Sequence, residues 1–127
     1  DVLTESHRLR KRLGGGMRQA GVLAAAARVA LETGPGRLHE DHANARRLAE
    51  ALAAMNPDAV DLEAVDTNMV YLDVGVFGTT GAQVREALRR EGILTLGSDA
   101  PVMRLVTHRD VSDDIETAIS ALREVLA

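Results

Sequence analysis

The chain has 127 residues, of which 46% are hydrophobic, and a formal net charge of −4 at pH 7. This length and composition suffice for one folded domain with its own core, and they argue against a disordered chain. The acidic balance and an aromatic content of only 2% argue against a nucleic-acid partner.

The sequence also excludes cysteine chemistry and shows no membrane-spanning or targeting segment. The sequence contains no cysteine, which excludes disulfide bonds, thiolate metal ligands and cysteine nucleophiles. Its longest apolar run, Ala20–Leu31, contains Arg28 and is too short to span a bilayer. The charged N-terminus shows no signal peptide. We therefore expect a cytoplasmic protein without a membrane partner.

The N-terminal part of the chain predicts two helices. A short cationic helix spans residues 1–13, with Thr4 as its candidate cap, and Gly14–Gly16 interrupts it. A second, alanine-rich helix is predicted from about residue 16 to residue 33. Because it is apolar on nearly all sides between Ala20 and Leu31, we expect most of its surface to be buried.

The middle of the chain predicts one helix and two strands. Gly34–Gly36, with a central proline, forms the turn that ends the second helix. Apolar residues at helical spacing predict a third helix over residues 37–55. Alternating residues predict a half-buried strand over Val60–Val65 and a second, stronger strand over Met69–Val74.

The C-terminal part predicts two helices and two short strands. A helix capped by Thr79 or Thr80 should run to Glu91, where Gly92 ends it. Strands are predicted over Ile93–Leu96 and Val102–Thr107, and Ser112 is the predicted cap of the last helix.

The order of these elements predicts a two-layer α/β fold. A small, mainly antiparallel sheet would carry helices packed on one face, preceded by the N-terminal helices. We predict a single domain over residues 1–127.

A basic and glycine-rich stretch near the N-terminus is a candidate anion site. Glycine N–H groups at the start of a helix can approach a phosphate or carboxylate closely, and nearby cations add to the attraction. A solvated basic helix followed by a joint explains the same charge pattern. The five cations that flank Gly14–Gly16 are Arg8, Arg10, Lys11, Arg12 and Arg18.

A second candidate site is a cation within a predicted strand. Arg104 lies in an apolar context, where a charge is costly unless it reaches the surface or faces an anion. Its planar guanidinium can hold a carboxylate through two hydrogen bonds. A solvent-facing strand residue is the alternative.

We expect structural roles for the remaining polar residues that could carry chemistry. His39 and His42 have the spacing of a metal site, but no third ligand is evident and we expect no metal. We expect His108 to orient a loop.

Four stretches resemble low-specificity L-threonine aldolases, in that family's order and over nearly the whole chain. That family depends on pyridoxal 5'-phosphate and has the fold type I of aspartate aminotransferase. The resemblance implies that this chain is a C-terminal small domain, with residues 1–34 as a helical connection from a large domain that is absent. The stretches are RKRLGGGMRQAGVLAAAA, LHEDHANARRLAEAL, DTNMVYLDV and MRLVTHRDVS.

The resemblance also implies a reaction and roles for four residues. The parent enzyme would cleave L-threonine or L-allo-threonine to glycine and acetaldehyde. Arg104 would bind the α-carboxylate of the amino-acid substrate, and Arg18 would lie near the cofactor phosphate. The resemblance also gives Asn68 a structural role, in which it satisfies backbone groups where a strand begins. Lys11, the only lysine, is a candidate for a Schiff base or a surface cation by its sequence context, and the resemblance makes it a non-covalent cation at the cofactor site.

In that family the Schiff-base lysine lies upstream of the matched stretches, so we expect the isolated chain to be inactive. The large domain and neighbouring subunits of a homotetramer or dimer would be its partners. Two alternatives stay open. One is a β-eliminating or other amino-acid lyase of the same fold. The other is a stand-alone domain that binds a small anion or has a regulatory role.

Overall fold

The computed structural model describes all 127 residues except the side chain of Ser112. The chain divides into two compact units, Asp1–Gly36 and Arg37–Ala127. The described residues form five α-helices and one antiparallel sheet of two strands, which confirms the predicted α/β class. The elements are α1 (Val2–Arg12), α2 (Gly21–Thr33), α3 (Leu38–Ala53), β1 (Met69–Asp73), α4 (Gly81–Arg90), β2 (Val102–Val106) and α5 (Ile115–Leu126).

Helix α1 is closed at both ends by local hydrogen bonds. The carboxylate of Asp1 accepts from the Thr4 N–H at 2.8 Å, so Asp1 is the cap and the prediction of Thr4 is wrong. At the other end the Gly14 N–H donates to the Lys11 carbonyl at 3.2 Å, and the Gly15 N–H donates to the Arg10 carbonyl at 2.8 Å. With φ of 78° at Gly14, this is the Schellman arrangement that ends many helices.

Helix α2 begins at Gly21, five residues later than predicted, and ends at Thr33 as predicted. The glycines that were predicted to lead into this helix instead belong to the cap of α1. None of its residues is buried, contrary to the prediction that most of its surface would be. A helix that is apolar on nearly all sides requires neighbours on all of them, and α1 is the other helix of this unit.

The second unit is built on the sheet. Strands β1 and β2 pair antiparallel, with register running from Met69 opposite Val106 to Asp73 opposite Val102. The inward side chains are buried and pack with α3, α4 and α5, whereas the outward side chains are exposed or half-buried. The helices therefore cover one face of the sheet, as predicted. The inward side chains are Val70, Leu72, Met103 and Leu105.

Two predicted strands are wrong. The segment Val60–Val65 contains a 3₁₀ turn, because the Asp61 carboxylate accepts from the Glu63 N–H at 3.0 Å and offers the backbone a local alternative to a ladder. The segment Ile93–Leu96 lies outside the two strands of the described sheet. Its first N–H donates to the Leu88 carbonyl of α4 at 2.9 Å, which ties the segment to a helix end.

The loop that precedes β2 is held against the start of α4. The Gly97 carbonyl accepts from the Arg85 guanidinium at 2.8 Å, and the Ser98 carbonyl accepts from the Ala82 N–H at 2.6 Å. The Gly81 N–H donates to the Ala100 carbonyl at 3.1 Å. These contacts fix the direction in which the chain enters β2.

The last two helices, α4 and α5, have Thr80 and Asp114 at their cap positions. Thr80 and Gln83 form a capping box at the start of α4, which confirms the predicted cap. Helix α5 begins at Ile115, after a 3₁₀ turn over Arg109–Asp114, and Asp114 occupies its cap position. The predicted cap, the side chain of Ser112, lies outside the described residues.

Within the part of the chain that the structure describes, no helix combines the length and the apolar character that crossing a membrane requires.

Candidate functional site

Arg104 lies in the middle of β2, on the outward face of the sheet. The strand alternates between exposed and buried residues, which places Met103 and Leu105 inward and Arg104 outward. Its partner in the register is Tyr71 of β1, which is also exposed. The Arg104 side chain forms no hydrogen bond or ion pair with any described residue. Its guanidinium is therefore available to an anion.

Arg104 and Tyr71 both line an open groove of about 1020 Å³ in the second unit. Apolar side chains form much of its wall, including Leu94 and Leu96, which are 83% and 80% exposed. Thr95 also lines this groove, and its buried hydroxyl has no hydrogen-bond partner among the described residues. A groove with mainly apolar walls and a few polar groups is typical of a site for a small ligand.

The end of β2 is anchored by two other elements. The Thr107 N–H donates to the Asn68 carbonyl at 3.0 Å, and the Asn68 side-chain amide donates to the Thr107 carbonyl at 2.7 Å. The Thr107 hydroxyl donates to the Asp41 carbonyl of α3 at 2.6 Å. The Asn68 side chain, directly before β1, therefore satisfies a backbone carbonyl just after β2, in agreement with its predicted role. The sheet is attached to α3 at the end that follows Arg104.

His108 directs the chain out of the sheet. Its Nδ1 accepts from the Asp110 N–H at 3.3 Å and thereby begins the 3₁₀ turn that leads to α5. The predicted role in orienting a loop agrees with this contact. Among the described residues, no group of three or more histidine, aspartate or glutamate side chains could hold a metal ion, so His39 and His42 do not form part of such a group.

The glycine-rich stretch has a different geometry from the predicted anion site. The N–H groups of Gly14 and Gly15 are used by the cap of α1, and α2 begins only at Gly21. The glycines therefore do not open a helix, and two of their three N–H groups point back to α1 carbonyls. That part of the prediction is wrong, because the αL conformation of Gly14 closes the preceding helix instead.

The cations around these glycines fall into two groups. Arg8 pairs with Glu5 at 2.6 Å, and this hydrogen bond lowers the pKa of Glu5 and raises the pKa of Arg8. Arg10 donates to the Gly15 carbonyl at 2.7 Å. Lys11, Arg12 and Arg18 are exposed and form no hydrogen bond or ion pair with a described residue.

The predicted site residues belong to different units. Lys11 and Arg18 lie in Asp1–Gly36, whereas Arg104 lies in Arg37–Ala127. Within the second unit Tyr71 and Thr95 line the same groove as Arg104, and the sequence did not indicate either of them as a site residue. Tyr71 and Arg104 are 33 residues apart in sequence, so their position opposite each other depends on the register between the two strands. No motif or spacing in the sequence marked Thr95 as a site residue.

Comparison with known proteins gives a matching family model and several relatives. The family model described as "Beta-eliminating lyase" matches residues 1–75, more than half of the chain. A probable low-specificity L-threonine aldolase 2 of Arabidopsis thaliana is 39% identical over 97% of this chain and 35% of its own length. A low specificity L-threonine aldolase of Escherichia coli strain K12 is 40% identical over 95% of this chain and 34% of its own.

A more distant relative carries a different activity in its name. Alanine racemase TOXG of Cochliobolus carbonum is 29% identical over 98% of this chain and 33% of its own length. The chain thus spans about a third of the length of the curated relatives it matches. Since the family model covers more than half of its residues, the chain belongs to the beta-eliminating lyase family.

Proposed function

We propose that this chain is the C-terminal small domain of a pyridoxal-phosphate-dependent lyase of fold type I. The whole enzyme would cleave L-threonine and L-allo-threonine to glycine and acetaldehyde. Two relatives named as L-threonine aldolases, 39% and 40% identical over nearly the whole chain, support this choice of reaction. The large domain and neighbouring subunits of a homo-oligomer would be its partners.

The observation that carries the proposal is the free guanidinium of Arg104. It lines a groove of about 1020 Å³ and has no partner among the described residues. A planar guanidinium can donate one hydrogen bond to each oxygen of an α-carboxylate, which fixes the orientation of the amino acid as well as neutralising its charge. In the proposed enzyme Arg104 binds the substrate and holds its α-carbon in a defined position.

The cations of the first unit fit the phosphate group of the cofactor. Lys11 and Arg18 are exposed, and neither is neutralised by a described residue. Positive side chains of this kind hold a phosphate through charge-assisted hydrogen bonds. The cofactor, when bound, supplies the electron sink for breaking the carbon–carbon bond. We propose that its covalent lysine lies outside these 127 residues and that the isolated chain is inactive.

A second candidate reaction is β-elimination or another lyase reaction on an amino acid. The description of the matching family favours it. Arg104 would serve such an enzyme equally well, because all of these substrates carry an α-carboxylate. The stand-alone anion-binding domain has less support, because the N–H groups of Gly14 and Gly15 are engaged in the cap of α1.

Substitution of Arg104 in the full-length protein that contains this chain tests the proposal. Loss of one partner of a charge-assisted pair typically costs about 2–5 kcal/mol. We therefore expect Arg104→Ala to lower kcat/KM for L-threonine by about a hundredfold or more. Arg104→Lys should recover little, because an ammonium lacks the planar fork. Arg123→Ala, which removes an exposed arginine of α5, is the matched control.

The absorbance of the cofactor and the products complete the test. Arg104→Ala should retain normal cofactor absorbance, since the contact is with the substrate. An Arg104→Ala enzyme of unchanged efficiency would refute the assignment. Release of glycine and acetaldehyde identifies the aldolase reaction, whereas a 2-oxo acid and ammonia would identify a β-eliminating lyase.

A further inference from the structure

The outward face of the two-stranded sheet carries two free hydrogen-bond donors side by side. Of its six positions, Arg104 and Tyr71 present donors that bond to no described residue. The Asp73 carboxylate accepts from the Gly75 N–H at 2.8 Å and is directed to the loop. The other three positions, Met69, Val102 and Val106, are apolar.

The register places these two donors directly opposite each other. Residues that face each other across an antiparallel pair have Cβ atoms about 5 Å apart on the same face of the sheet. Arginine and tyrosine side chains have similar lengths, so a guanidinium and a phenolic hydroxyl at such positions extend to similar heights above the strands. A carboxylate above this face can therefore accept from both Arg104 and Tyr71.

The surroundings explain why a second donor matters. A single exposed pair of opposite charges contributes only about 0–1 kcal/mol in water, which is too little to select a small ligand. Around this pair, however, the groove has apolar walls that include Leu94, Leu96 and Val106. A second donor adds a further hydrogen bond to the charged carboxylate and restricts its orientation.

We propose that Tyr71 is a second substrate-binding residue, whose phenolic hydroxyl donates to the same carboxylate that Arg104 binds. This inference rests on the proposed function and deepens it. It makes the ligand of the groove a small α-amino acid with a free carboxylate, held by two donors from neighbouring strands. The ring of Tyr71 stands at one side of the carboxylate and restricts how the ligand can turn.

The test is an NMR titration of the 127-residue chain with L-threonine and, separately, with L-threoninamide, which lacks the carboxylate. Wild-type protein should bind threonine saturably and threoninamide much more weakly. Tyr71→Phe removes one oxygen and keeps the ring, so we expect its Kd for threonine to rise about tenfold, the effect of losing one hydrogen bond to a charged group. Arg104→Ala should abolish the saturable shifts. Arg123→Ala, the control for loss of a surface arginine, should leave them unchanged.

Other results of this titration would overturn the proposed role of Tyr71. If Arg104→Ala abolishes threonine binding and Tyr71→Phe binds like the wild type, the role of Tyr71 is overturned and that of Arg104 stands. If Tyr71→Phe weakens threonine and threoninamide equally, the phenol does not recognise a carboxylate and the inference is overturned. Absence of saturable threonine binding by the wild type also overturns it. The proposed lyase function is judged separately, by turnover of the Arg104→Ala enzyme.

Discussion

The two units of this chain use apolar residues with opposite results. Helix α2 is almost wholly apolar between Ala20 and Leu31, yet none of its residues is buried. Every residue of the described hydrophobic core lies in Arg37–Ala127, although its helices are more polar in sequence. Burial therefore depends on having a second layer to pack against and not on apolar content.

Helix α3 shows how the second unit achieves this. Its buried residues recur at helical spacing on one face, and that face packs on the sheet and on α5. Helix α2 has apolar residues on nearly all sides, a pattern typical of helices surrounded by other structure. This contrast agrees with our proposal that the chain is part of a larger enzyme.

The largest expected effect comes from removing matched leucines of the two units. Leu72 of β1 is 0% exposed, so Leu72→Ala should create a cavity and lower the free energy of unfolding by about 2–5 kcal/mol. Leu23 of α2 is 63% exposed, so Leu23→Ala should change it by less than about 0.5 kcal/mol. Urea denaturation followed by circular dichroism measures both. Equal losses for the two variants would show that α2 is part of the same core.

A smaller effect is expected from two threonine hydroxyls that each donate to a helical carbonyl. Thr107 is buried and donates to the Asp41 carbonyl, so Thr107→Val removes a buried hydrogen bond between β2 and α3 and should cost about 0.5–1.5 kcal/mol. Thr33 is exposed and bonds to the Val29 carbonyl, which water can satisfy after Thr33→Val. The same denaturation experiment compares them. A Thr107→Val protein as stable as the wild type would mean that the anchor of β2 on α3 contributes nothing measurable.

The smallest effect concerns the ion pair of α1. The hydrogen bond from Arg8 lowers the pKa of Glu5, so the stabilisation of the helix is present above the ordinary pKa of a glutamate. It is lost as the pH falls through the lowered value. A carbon-detected NMR titration should give a Glu5 pKa below the ordinary value, and Arg8→Gln should restore it. Identical Glu5 titrations in both proteins would remove the pair as a cause.

The sequence predicted those elements whose signals are local. The capping box at Thr80 and the alternation of Met69–Val74 each arise within a few residues, and both were found. The strand predicted at Ile93–Leu96 also alternates, but a strand requires a neighbour, and the hydrogen bonds of its flanks go to α4. Alternation alone does not distinguish these two cases.

The candidate site shows the same division. A cation in an apolar strand could be recognised from composition, so Arg104 was predicted. Its position opposite Tyr71 depends on the pairing of two strands that are distant in sequence, and single-sequence patterns do not determine register. The failure at Gly14–Gly16 has another origin. Glycines that end one helix resemble glycines that begin the next, and only the hydrogen bonds distinguish them.

The loop held on α4 has a consequence for the tolerance of this chain to substitution. A Cβ atom at Gly97 would overlap the Gly81 carbonyl, although the φ of Gly97 is not positive. Gly14 is restricted for the opposite reason, since it has open space but a left-handed backbone. Asparagine, which adopts that backbone more readily than other residues, is a possible replacement at position 14 but not at position 97. Two glycines that look equivalent in a sequence are thus constrained by different physics, one by conformation and one by volume.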